Sequence, residues 1–128
     1  MNAERSSDRH PAIRLQRAYD EEAHADGYRV LVDRLWPRGI RRDALHVDEW
    51  CRQIAPSTEL RRWFGHDPAR WLEFVARYRA ELAGRPDVAR LAGHARAGAL
   101  TLVYAAADPD HNNAVVLRDV LEEELTQP

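Results

Sequence analysis

The sequence contains no lysine, and all 19 of its basic residues are arginine. That absence removes Schiff-base chemistry, a phosphate-loop lysine and a lysine general base from the mechanisms open to the chain. There is one cysteine, Cys51, which excludes an intramolecular disulfide and suits a reducing compartment. No apolar run approaches the roughly 20 residues that span a bilayer, and Met1 to His10 lacks the apolar core of a secretory signal. A cytoplasmic location with no membrane partner is expected by elimination. Also missing are a Gly-rich phosphate loop, a GxSxG elbow and an HExxH helix. The six histidines show neither i, i+4 pairs nor close Cys/His spacing, so neither a metal nor a cofactor is expected.

What is present is the composition of one folded domain. The 128 residues are 45% hydrophobic and 31% charged, inside the globular range and near the commonest domain size. Residues 1–12 are polar and read as a disordered tail before a single domain over 13–128. Ile13 to Tyr19 alternates apolar and polar residues, the period of a half-buried strand. Asp26-Gly27 marks a turn. Tyr28 to Leu35 then carries a continuous Val30-Leu31-Val32 centre, as a strand covered on both faces does. The short connection between them leaves the direction of the first strand open, with antiparallel as one alternative.

Asp48 is expected to cap a short helix that turns Trp50, Cys51 and Ile54 inward and stops at Pro56. Ser57 caps a second short helix ending at Gly65. Asp67-Pro68 opens the longest helix, with Trp71, Val75, Tyr78 and Leu82 on one stripe. Another helix runs from Pro86 to Gly98. Leu100 to Ala106 is a second buried strand, and Asn112 or Asn113 caps a final helix. These elements predict an α/β fold: one compact domain with a small, mostly parallel sheet of about three strands flanked by helices. In such sheets ligands bind beyond the carboxyl ends of the strands.

Polar residues gather at that address. Asp33 and Arg34 follow the buried apolar run, where an unpaired ion would cost several kcal/mol. Arg34 and Arg38 can form a fork-shaped anion grip, with Pro37 stiffening the loop and Gly39 permitting a positive φ. The alternative is an Asp-Arg network that pins the loop to the sheet. Ser57 offers a hydroxyl and unsatisfied amides at a helix start, with Arg61 one turn inward; ordinary capping and a salt bridge are the alternative there. His66 lies on a loop, and histidine is the side-chain type suited to exchanging protons at physiological pH, which makes it, with Asp33, the candidate for proton transfer. Trp36 could stack on a planar ligand. Asp108 and Asn112 follow the last strand and could reach the same edge, or simply form a turn and a cap. Cys51 reads as an inert core thiol.

Together Tyr28 to Gly39, Ala55-Pro56-Ser57, Glu59 to Asp67, and Thr101 to Ala106 with Asn112-Asn113-Ala114 resemble the YeaO-like family, domain of unknown function 488. The resemblance runs from Ile13 to Leu125 and implies a compact α/β domain without an assigned reaction. The family pattern commonly shows Asn-His-Ala before the last helix, where this chain has Asn112-Asn113-Ala114.

The expected function is a binding domain or enzyme for a phosphate-bearing small molecule or nucleotide at an Arg-rich cleft. Arginines interleaved with aromatics between Arg34 and Trp71 suggest, as a second reading, a nucleic-acid-linked or stress-related regulatory module. The net charge of −2 weighs against it. A protein-interaction scaffold without catalysis is the third, and it requires an exposed apolar patch.

Overall fold

The computed structural model describes residues 13–20 and 27–127; the expected tail, residues 1–12, and Asp26 of the expected turn lie outside the described residues. Four strands, β1 (Ile13–Arg17), β2 (Tyr28–Leu31), β3 (Glu49–Trp50) and β4 (Leu100–Tyr104), form one parallel sheet in the order β1-β4-β2-β3. Four helices flank it: α1 (Thr58–Phe64), α2 (Trp71–Leu82), α3 (Pro86–Ala97) and α4 (Asn113–Leu125). The α/β class and the parallel sheet follow the sequence pattern. All five residues of β4 are buried, because β4 is central: its Leu102 lies level with Leu15 of β1 and with Val30 of β2.

The direction of β1, left open by the sequence, is parallel.

The sheet has four strands rather than about three, and the helix expected at Asp48 is replaced by β3. Asp48 does not cap. Its amide donates to the Arg29 carbonyl and its carboxylate accepts from the Arg29 amide, so both ends of Asp48 are fixed to the edge of β2. The Cys51 amide continues the ladder to the Leu31 carbonyl, and only Arg52–Ile54 curl, as a 3-10 turn. Tertiary pairing overrides a capping preference here. The strand expected to reach Leu35 ends at Leu31, although the Val32 amide still donates to the Val103 carbonyl.

The stretch expected as the longest helix opens as a 3-10 turn, Pro68–Arg70, capped by Asp67. This leaves α2 with 12 residues against 13 in α4. Its inner face is Phe74, Tyr78 and Leu82, all buried, with Trp71 and Val75 at the margin. The Tyr78 hydroxyl donates to the Ile54 carbonyl at 2.7 Å. That bond ties α2 to the β3–α1 connection and satisfies a polar group with no access to water. Cys51 is buried, and desolvation, with Asp87 and Glu49 nearby, pushes its thiol up to about 11. A thiol held protonated this way is a poor nucleophile. No helix among the described residues is long and apolar enough to cross a membrane.

Candidate functional site

Where β2 and β4 end, the chain leaves the sheet in two loops, and α1 starts beside them. A cavity of about 570 Å³ opens between these segments. Asp33, Arg34, Trp36, Arg38, Arg61 and His66 all line it. Phe64 and Phe74 supply apolar wall, and Ala105 to Asp108 and His111 to Asn113 enclose the remaining side. It lies at the carboxyl ends of the strands because every strand is parallel, so all their exits point the same way.

Asp33 is clamped between β4 and α4. One carboxylate oxygen accepts the Ala105 amide at 2.9 Å, and the other accepts the Asn113 side-chain amide at 3.1 Å. The same Asn113 nitrogen donates to the Val32 carbonyl, while the Asp33 carbonyl takes the Trp50 indole N–H. Burial raises the carboxyl above its ordinary value; the two hydrogen bonds and the positive fields of His66 and Arg61 oppose the shift without cancelling it. Asp33 is therefore a desolvated carboxyl with lone pairs still unused, since a carboxylate offers about four acceptor sites.

Arg34 does not pair with Asp33. Its guanidinium donates to the Pro56 carbonyl at 3.2 Å and the Ala55 carbonyl at 3.3 Å, which bolts the loop after β2 to the start of α1. Arg38 and Arg61 are different: both line the cavity, and neither guanidinium has a hydrogen bond or ion pair to another described residue. Gly39 has φ +83°, the backbone freedom expected of it. The Trp36 indole N–H donates to the Ile40 carbonyl, its ring meets Trp50 edge-on at 5.3 Å, and Arg42 lies over its face at 4.7 Å. A base stacking on Trp36 would have to displace that arginine or use another face.

Ser57 is not part of the cavity. Its hydroxyl donates to Glu81 and accepts the Leu60 amide, and its own amide donates to the other Glu81 oxygen at 2.8 Å. A carboxylate from α2 already occupies the place proposed for an external anion. His66 is exposed, and its backbone has φ +58° directly after Gly65 at φ +54°. A left-handed histidine costs of order 1 kcal/mol or more, and the turn places its ring 6.3 Å from that of Phe64 at the cavity mouth.

The cavity also contains a pair whose joint role was not read from the sequence. His111 Nδ1 lies 2.8 Å from a carboxylate oxygen of Asp108, and the His111 ring meets Trp71 edge-on at 5.1 Å. The Asp110 amide, then His111, hold the Asp108 carboxyl below its usual value. The i, i+3 spacing of Asp108 and His111 was the available signal. Asn112 caps α4 through the Val115 amide, leaving Asn113 to reach Asp33. The arginine–aromatic interleaving resolves largely into internal stacks: Arg42 and Arg52 on Trp50, and Arg70 and Arg77 on Trp63. Among the described residues, no group of three or more His, Cys, Asp or Glu side chains is placed to hold a metal ion.

Comparison with known proteins places this chain. It is 46% identical over 110 residues to the uncharacterized protein YeaO of Escherichia coli, covering 85% of this chain and 96% of that protein. It is 41% identical over 113 residues to the uncharacterized protein Rv3073c of Mycobacterium tuberculosis and, to the same extent, to Mb3100c of Mycobacterium bovis, covering 88% of this chain and 96% of each. No solved structure matches it. The family model described as the inactive DUF488-N3 subclade matches residues 12–128, and the chain belongs to that YeaO-like DUF488 family.

Proposed function

We propose that this domain binds a phosphate-bearing small molecule or nucleotide in the cavity at the strand ends. The observation that carries the reading is the pair Arg38 and Arg61, two guanidinium groups lining one cavity with no hydrogen bond or ion pair from either to a carboxylate among the described residues. Guanidinium presents a planar fork that matches phosphate oxygens two at a time, and part of its binding strength is lost when a protein carboxylate already fills the fork. The cavity volume, about 570 Å³, falls in the range of small-ligand pockets. The description of the subclade as inactive is in keeping with a domain that does not turn over its ligand.

Thermal unfolding against a panel of nucleotides, sugar phosphates and oxyanions tests this. A ligand at about 100 times its Kd stabilises the native state by about 2.7 kcal/mol. The Arg38→Ala and Arg61→Ala proteins are expected to stay folded, because neither side chain holds another described residue, and to lose at least about tenfold in affinity each. A panel without a single stabilising anion, or an anion whose affinity survives both substitutions, sinks the reading.

A further inference from the structure

We infer that the ligand of this cavity is a phosphate ester carrying free hydroxyl groups, as a sugar phosphate does, and that His111, oriented by Asp108, is one of the groups that reads those hydroxyls. The inference rests on the phosphate-binding reading above and adds the chemistry of the non-phosphate part.

The cavity holds two kinds of polar group. Arg38 and Arg61, from the loop after β2 and from α1, are donors only. From the end of β2 and the β4–α4 connection come groups that accept. Asp33 is a desolvated carboxyl whose two oxygens each take one hydrogen bond, from Ala105 and Asn113, and so retain acceptor sites. His111 is the second. A carboxylate can only accept, so in the neutral imidazole the Asp108 contact at 2.8 Å places the ring proton on Nδ1 and leaves the lone pair on Nε2. The Nε2 atom makes no hydrogen bond to a described residue, while the ring lines the cavity and is fixed edge-on to Trp71.

A bare oxyanion uses only the arginines and leaves both acceptors unmatched beside more negative charge. A phosphate ester with hydroxyls satisfies both sets, the phosphate on the guanidinium groups and the O–H donors on His111 and Asp33. The charged and titratable groups facing His111 across the cavity are Asp33, Arg34, Arg38, Arg61 and His66, with Asp108 on its own loop.

The test compares ribose 5-phosphate with methyl phosphate by titration calorimetry at pH 8. Both are phosphate monoesters, so the phosphate term is shared and the ratio of affinities reports the hydroxyls. Wild type is expected to favour ribose 5-phosphate by about tenfold or more, the worth of one or two well-made hydrogen bonds. In His111→Phe, which keeps a ring against Trp71, the ratio is expected to fall below about threefold. The wild-type ratio needs no variant, so a misfolded His111→Phe leaves the first arm decisive. Equal affinities in wild type overturn the inference and leave the phosphate-binding reading intact. A preference that persists undiminished in folded His111→Phe removes His111 from it. Binding of neither ester overturns the inference and leaves the phosphate-binding reading to the wider panel of nucleotides and oxyanions.

Discussion

Single residues in this protein do work that their positions in the chain foreshadow only in part. Asp33 was legible as an ion that needs a partner; that its partners are a backbone amide and Asn113, not Arg34, depends on the approach of β4 and α4. Its raised pKa has a definite consequence. A carboxyl that holds its proton more tightly when folded costs the native state nothing below its unfolded value, about 3.9. It then destabilises the fold increasingly as pH climbs through its higher folded value. The Asp33→Asn protein lacks that term. Urea unfolding from pH 3.5 to pH 7 is expected to show the variant gaining on wild type as pH rises; a constant gap across that range would refute it. Glu49 and Glu123 have the opposite sign, since Arg90 and Arg79 hold them below their usual values. Their stabilisation is complete above the ordinary carboxylate pKa and is lost as pH falls through the lower folded one. Comparing variant with wild type cancels both.

At the scale of elements, caps and breakers were readable because their physics is local. Ser57, Asp67 and Asn112 each accept an amide at a helix start as their residue types predict. Asn112 does so while also donating to the Asp108 carbonyl at 2.9 Å, so it joins the cap of α4 to the loop carrying His111. Replacing it by alanine is expected to cost about 1 to 2 kcal/mol, the usual worth of such a cap, measured by chemical denaturation. A loss below about 0.3 kcal/mol would mean that water replaces the cap without penalty. The element that local reasoning misassigned, β3, has the same cause as these successes. Asp48 is a good cap residue, but a bonded strand edge offered both its amide and its carboxylate better partners. Pairing of residues 19 apart in the chain, Val30 with Glu49 and Leu31 with Trp50, leaves no local pattern in a two-residue strand.

For the molecule as a whole, the cavity exists because three distant segments meet at one end of a parallel sheet, and Arg34 is the bolt between two of them. Its contacts with the Ala55 and Pro56 carbonyls give it a structural task. Arg34→Ala is therefore expected to lower the unfolding free energy by about 1 to 3 kcal/mol, the cost of leaving acceptors unpaired. An unchanged urea midpoint would show that the loop needs no such tie. For the same reason Arg38 and Arg61, not Arg34, are the residues that interrogate binding.

The amino-acid sequence alone was sufficient for the α/β class, the two buried strands, the caps at Ser57, Asp67 and Asn112, and the gathering of polar residues after Val32. All of these rest on periodicity, burial of apolar runs and local hydrogen bonding, which act between near neighbours. Tertiary structure decided the rest: the direction and edge position of β1, the existence of β3, the diversion of Ser57 to Glu81, and the arrival of His111 beside the arginines in one cavity. Those outcomes depend on which distant groups compete for the same donor or acceptor, and that competition is settled only when the sheet closes.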